Sequence, residues 1–372
     1  MKPETLNLKP PSPPFRVVLE PRMNVPRWLP FATSLGAVFV ALVIGGVIIG
    51  LSGGRPLESY LHIFKAAFGS PGVFSDTLVK ATPLILTGLA CALAFRMKLW
   101  NIGAEGQFFM GAWAASAVVL APLLPADTPA AMMLLAMAAA GAAGGGLWGL
   151  VPGFLKARFN VNEIITTLMM NYIAVSWVKY WVFGAWSERG FQMSPVFPKT
   201  AWLPRLSDYA QSIPAFSGLT LHVGMAFGLL AAGVVWFILH RSRWGYEIRL
   251  IGDNPSAARY AGMDIVRNVT LVMMLSGAIA GLGGMSEISG VVHRLQDRIS
   301  PGYGFTGIII AWLAKLDPFG VILVSVLFGG LLLAGREIQP SGVPRMLQGI
   351  ILFTVIASDV LLRYRVRIII RE

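Results

Sequence analysis

Long apolar runs separated by short polar breaks recur along most of the 372-residue chain. A helix needs about 20 apolar residues to cross the hydrocarbon core of a bilayer. On that criterion the pattern predicts spans at 30–52, 76–95, 100–121, 130–153, 162–183, 219–240, 268–290, 304–315, 318–336 and 346–363. Asp317 and Pro318 divide two of them, and 304–315 is short. The expected fold is an all-α polytopic membrane protein with about ten transmembrane helices. Gly141, Gly144, Gly145, Gly146 and Gly149 fall in one span, and Gly277, Gly281 and Gly284 in another. Small residues at helical spacing let backbones approach closely, which predicts a compact bundle.

The polar breaks carry the remaining information. Arg96 to Trp113 reads RMKLWNIGAEGQFFMGAW and places Asn101, Glu105 and Gln107 among Gly103, Gly106 and Gly111. A carboxylate inside a lipid-spanning helix costs about 2.5–3.5 kcal/mol on insertion scales. Such a group either lines a path through the protein or sits in a short turn. In the turn, Asn101 is an N-cap and Glu105 lies in the first helical turn.

Two loops exceed a simple turn. Residues 184–217 carry Trp186, Phe191, Phe197, Trp202, Tyr209 and Phe216, which form either an interfacial aromatic belt or a docking surface. In residues 241–267, Asp253-Asn254-Pro255 is a helix-start signal, with Asn254 as N-cap, and Gly262 stops the short helix that follows. That helix either lies on the bilayer surface or fits a groove on a partner.

Composition sharpens this picture. Hydrophobic residues make up 55% and charged residues 13% of the chain, the latter about half the share of a soluble domain. The net charge of +12 reflects basic residues holding loops on the cytoplasmic side, and no nucleic-acid partner is expected. Nineteen of the thirty Lys and Arg fall on the side that holds both termini, and nine on the other. Both termini are therefore expected in the cytoplasm. Lys80 and Lys179, near span ends, are expected to snorkel. Residues 1–29 hold seven prolines and five basic residues and read as a flexible cytoplasmic tail. A transmembrane domain is expected over 30–365 and a basic cytoplasmic tail over 366–372. No cleavable signal peptide is expected, and the first span acts as an anchor.

Candidate chemistry is sparse. The histidines, His62, His222, His240 and His293, show no metal-ligand spacing. Cys91 is the single cysteine, so no intrachain disulfide and no cysteine metal cluster can form. Gly302 to Gly307 matches a dinucleotide fingerprint by letter only, since no βαβ unit surrounds it, and no Walker A sequence occurs. The expectation is a protein that is not an enzyme and has no cofactor of its own.

Four runs then carry a resemblance: NIGAEGQFFMGA (101–112), VNEIITTLMMNYIA (161–174), IGDNPSAARYAGM (251–263) and LSGAIAGLGG (275–284). They resemble the permease subunit of bacterial ATP-binding-cassette importers, in the branch for simple sugars and nucleosides. The glycine–glutamate–glycine form of the first run is similar to the nucleoside type. The resemblance covers about residues 35–365. It implies a type II-like importer permease in the bacterial cytoplasmic (inner) membrane, paired with a second permease, identical or homologous. It further implies cytoplasmic ATPase subunits that hydrolyse ATP and an external substrate-binding protein. In that family the cytoplasmic helix couples to the ATPase, which here points to Gly252, Asn254, Ala257, Ala258, Arg259 and Gly262.

For the substrate path the candidates are Asn101, Glu105, Gln107, Asn162, Glu163, Asn171 and Tyr172, because amides and carboxylates pair with hydroxyls and ring nitrogens. Asn162 and Glu163 equally fit N-capping, and Asn171 equally fits an interhelical hydrogen bond. Nucleosides are the expected substrate, with simple sugars as the alternative. An ion-driven secondary transporter would need more buried ionisable groups than Glu105, Glu163 and Glu287.

Overall fold

The computed structural model describes residues 15–22, 26, 28–121, 123–125, 127–335 and 342–370. Among these residues the chain forms thirteen α-helices and one two-stranded ribbon. The first half holds α1 (Leu29–Leu51), α2 (Pro56–Phe68), α3 (Pro71–Arg96), α4 (Ala104–Leu120), α5 (Ala130–Phe159) and α6 (Glu163–Phe183). The second holds α7 (Gly224–Arg241), α8 (Arg243–Asp253), α9 (Pro255–Tyr260), α10 (Ile265–Glu287), α11 (Tyr303–Leu313), α12 (Pro318–Ala334) and α13 (Val343–Arg363). By length and composition α1, α3, α5, α7, α10 and α13 are long and apolar enough to cross a membrane, and α11 and α12 are shorter apolar helices. Each of the ten expected segments coincides with a helix, although α4 begins at Ala104 and α7 at Gly224.

Two helices were not expected. The 13-residue α2 is too short to cross a bilayer. Its exposed Leu57, Leu61 and Phe64 recur at the spacing of one helix face. Ser242 caps α8 by accepting from the Gly245 N–H at 3.0 Å.

The core centres on α3, in which every residue from Ala81 to Phe95 is buried. Around it stand α7, α10, α11 and α12. A second packing centre joins α4, α5 and α10, where glycines meet backbone to backbone. A Cβ on Gly145 would overlap the Gly277 carbonyl, and a Cβ on Gly111 would overlap Gly281. Only hydrogen fits at those positions, which is how the glycine runs produce close contact.

Both α4 and α11 start inside the bundle. After α3 the chain folds back, so that Asn101 lies level with Ala90 through the hydroxyl of Ser276. On the other side Thr87 Oγ1 donates to the Tyr303 carbonyl at 3.0 Å. The first turns of α4 and α11 are therefore level with the C-terminal half of α3.

α10 continues as a π-turn, Ile288–Val292, which ends at His293 in left-handed backbone (φ 57°). The 184–223 loop folds over this end. Ser194 N–H donates to Leu295 O at 2.8 Å, Phe197 N–H to His293 O at 2.8 Å and Leu203 N–H to Ser289 O at 3.0 Å. Its aromatics divide: Trp186 and Phe197 are buried, whereas Phe191 and Tyr209 are exposed.

The terminal segments differ from the expected flexible tail. Phe15–Pro21 (β1) pairs antiparallel with Tyr364–Ile370 (β2), with Phe15 opposite Ile370 and Pro21 opposite Tyr364. The proline density that suggested disorder lies in residues 1–14, outside the described residues, while Val17, Val18 and Ile368 to Ile370 favour strand.

Candidate functional site

Asn101, Glu105, Gln107 and Asn171 converge where α4 begins, and all four are buried. Gly103, not Asn101, is the N-cap residue of α4. Asn101 makes a local turn instead, its Oδ1 accepting from the Gly103 N–H at 3.0 Å. Its Nδ2 donates to Gln107 Oε1 at 3.0 Å and to Ser276 Oγ at 2.8 Å, while Gln107 Nε2 donates back to Asn101 Oδ1 at 3.1 Å. Asn171, from α6, accepts from the Gly106 N–H at 2.8 Å and donates to Ile102 O at 2.9 Å. This amide network ties α4, α6 and α10 together, and each buried amide finds a protein partner, as burial requires.

Glu105 lies at the meeting point of two helix starts. Its carboxylate sits in the first turn of α4 and accepts from the Gly304 N–H of α11 at 2.6 Å. Both helix N-termini carry partial positive charge, which favours a carboxylate at this point.

The remaining path candidates lie elsewhere. Asn162 caps α6, accepting from Ile164 N–H at 2.9 Å and Ile165 N–H at 3.3 Å. Glu163 pairs with Lys156 at 3.0 Å. Tyr172, next to the buried Asn171 on α6, is 65% exposed.

A second polar cluster lies beside the π-turn. Lys80 is 14% exposed and pairs with Glu287 at 3.5 Å, and its Nζ also donates to the Tyr303 hydroxyl at 3.3 Å. Lys80 therefore points into the bundle and does not snorkel; an inward carboxylate outweighs a distant interface for a side chain this deep. Arg205, from the loop, donates to the Gly290 carbonyl at 2.8 Å, supplying positive charge at the C-terminal end of α10. It also meets His293 Nε2 at 2.7 Å, and the His293 ring stacks on Trp202 with centroids 3.8 Å apart. Burial first, then the Arg205 charge, pushes both His222 and His293 down to about 4, so both are neutral at physiological pH. The signal for this cluster was present in the sequence, because ionisable residues such as Lys80 and Glu287 are uncommon within apolar segments.

The candidate coupling residues gather at one end of the molecule. Asn254 caps α9, its Oδ1 accepting from the Ala257 N–H at 3.0 Å, and Gly262 follows with φ +78°. Gly252 and Ala258 face inward: a Cβ on Gly252 would press on the backbone of Arg96 and Met97, and Ala258 is fully buried. The small side chain of Ala258 thus serves packing within this chain. Asn254, Ala257, Arg259 and Gly262 are exposed, together with Tyr260 at 97% exposure. Tyr260 had no local signal to separate it from an ordinary surface tyrosine. Asn268 anchors α8 beside the start of α10, accepting from Trp244 Nε1 at 2.7 Å and donating to Glu247 at 2.8 Å.

A helical bundle with several apolar helices long enough to cross a bilayer, a polar centre and a capped helix exposed at one end is the architecture of a multi-pass membrane protein. The chain belongs to the family described as branched-chain amino acid transport system / permease component, whose model matches residues 73–356. It is similar to a glucose ABC transporter permease protein of Haloferax volcanii, 35% identical over 360 residues, covering 94% of this chain and 93% of the relative. It is also similar to a guanosine ABC transporter permease protein of Bacillus subtilis, 35% identical over 337 residues, covering 88% and 93%. A nucleoside ABC transporter permease protein of Lactococcus lactis is 29% identical over 321 residues, covering 83% and 84%. No solved structure matches the chain. These relatives agree with the resemblance carried by the four sequence runs.

Proposed function

We propose that this chain is the membrane-spanning subunit of an ATP-binding-cassette importer and forms the path for nucleosides. The observation that carries the reading is the 35% identity to a guanosine ABC transporter permease across 88% of the chain. Simple sugars are the second reading, favoured by equal identity to a glucose permease over 94% of the chain. ATP is hydrolysed by separate cytoplasmic subunits, which dock on the exposed face of α9. A second permease, identical or homologous, completes the path, and an external binding protein delivers substrate.

In this reading α4, α6, α11 and α12 join the six helices long and apolar enough to cross a membrane, giving ten spans. The chain lies in the bacterial cytoplasmic membrane with both termini inside, which the basic-residue bias supports. Asn101, Glu105, Gln107 and Asn171 hold the wall of the path in shape. Asn162, Glu163 and Tyr172 are the candidates for contact with substrate or the paired permease.

The test is uptake of labelled nucleosides and sugars by cells with and without the chain. Loss of nucleoside uptake alone is expected. Loss of sugar uptake alone replaces the substrate, and loss of neither overturns the reading.

A further inference from the structure

A cavity of about 460 Å³ lies among Trp100, Trp312 and α13, but its lining is almost wholly apolar. A smaller cavity beside the π-turn, about 330 Å³, differs in kind. Its wall includes Asp76 and Lys80 of α3, Arg205 and Thr220 of the loop, Gly290 of the π-turn and Leu333 of α12. Small-molecule sites are about 300–1,000 Å³, so the volume suits one small ligand or one end of a larger one.

The polar groups there differ in how far they are committed. Arg205 spends its Nε and one terminal nitrogen on the Gly290 and Val291 carbonyls and on His293. Lys80 is held by Glu287 and Tyr303. Asp76 accepts from the Thr220 hydroxyl at 2.5 Å, and among the described residues it makes no ion pair. Ser75 Oγ and Thr220 Oγ1 are 3.4 Å apart, so a short hydroxyl relay ends on the Asp76 carboxylate. A carboxylate offers about four acceptor positions. The cavity therefore presents one strong acceptor with spare capacity in a wall that also holds two basic side chains.

That arrangement selects a ligand. The guanidinium and the ammonium repel a cation. A free anion meets Asp76, while Arg205 and Lys80 are already engaged. A neutral molecule with adjacent hydroxyl donors fits best, because one carboxylate accepts from two neighbouring hydroxyls at once. We propose that this cavity is a binding site for the vicinal diol of a neutral ribose- or hexose-type ligand, with Asp76 as the acceptor. The inference rests on the nucleoside or sugar permease reading and adds to it a specific site on this chain.

The test is equilibrium binding of labelled guanosine and 2′-deoxyguanosine, and of glucose and 2-deoxyglucose, to the full chain in lipid nanodiscs, with uptake measured in parallel. The member that carries the 2-hydroxyl (2′ in guanosine), and with it the diol that includes that position, is expected to bind about tenfold or more tightly than its deoxy partner in at least one pair. Asp76→Asn is expected to weaken binding of the compound with the 2-hydroxyl about tenfold, so that the discrimination is lost. Leu333→Trp, which fills the cavity without touching its polar groups, is expected to abolish binding of both. Discrimination in the glucose pair alone supports the site and replaces the nucleoside as substrate. Discrimination unchanged in Asp76→Asn, or binding unchanged in Leu333→Trp, overturns the inference. Intact nucleoside uptake with no saturable binding to the wild-type chain also overturns it, while leaving the permease reading in place.

Discussion

Glu105 of α4 accepts the backbone N–H of Gly304 of α11 at 2.6 Å across 199 positions of sequence. Two helices that start inside the bundle are thereby joined at their first turns. Tyr303, the adjoining residue, receives Lys80 on its hydroxyl, and Lys80 pairs with Glu287. The start of α11 thus links the amide network around Asn101 to the charged cluster beside the π-turn.

Removing the acceptor should weaken this junction. Glu105→Ala leaves the Gly304 N–H buried without that partner, at a cost of about 1–3 kcal/mol. Glu105→Gln keeps an acceptor oxygen and should recover part of the loss. Thermal unfolding of the purified variants measures this directly. An Ala variant as stable as wild type would show that the bond contributes little.

The Lys80–Glu287 pair should behave as a coupled unit. Lys80→Met removes the ammonium that faces a buried carboxylate and should destabilise by about 3–5 kcal/mol. Adding Glu287→Leu to it should restore much of the stability, because both charges are then gone. A double-mutant cycle on unfolding reads the coupling, and additive effects would argue against it.

At the exposed end, two substitutions separate docking from packing. Tyr260→Ala should leave stability within about 0.5 kcal/mol, as at other surface sites, yet reduce ATP-coupled uptake. Ala258→Trp should lower the protein level itself, because that position is fully buried within the chain. Equal expression of both variants would displace this assignment.

The glycine seam allows a sharper test. Gly145→Leu places a side chain where the Gly277 carbonyl already lies. Folding should fail or the helices should separate, costing about 1–3 kcal/mol or more. Gly233→Leu, at a glycine with nothing within 4 Å of its would-be Cβ, is the control and should fold normally.

pH should act through His222 and His293. Each is pushed down to about 4 from 6.5, by burial first and then by Arg205. The unfolded chain takes up protons below about 6.5, whereas the folded chain does so only near 4. Their contribution to stability is therefore intact above 6.5 and declines as pH falls from 6.5 towards 4. Unfolding temperature measured across that interval should fall with pH. Arg205→Gln should narrow the window by raising both values.

Much of the site was readable one residue at a time. Asn254, Pro255 and Gly262 announce α9 because caps and stops are local chemistry. The choice between a path and a hydrogen bond at Asn171 was not readable, since its partners, Gly106 and Ile102, lie on a different helix. Lys80 stands near the end of an apolar run, a position that predicts snorkelling, but Glu287, 207 positions away, draws it inward.

The sequence by itself determined the order of the apolar helices, the glycine faces able to pack closely and the family. Length, small-residue spacing and capping act within a few residues, so the linear pattern contains them. Only the tertiary structure decided that α4 and α11 begin inside the bundle, that Ala258 faces inward and that the two terminal segments pair as strands. The physical reason is common to all three: each outcome depends on which distant segment satisfies a backbone group or fills a space.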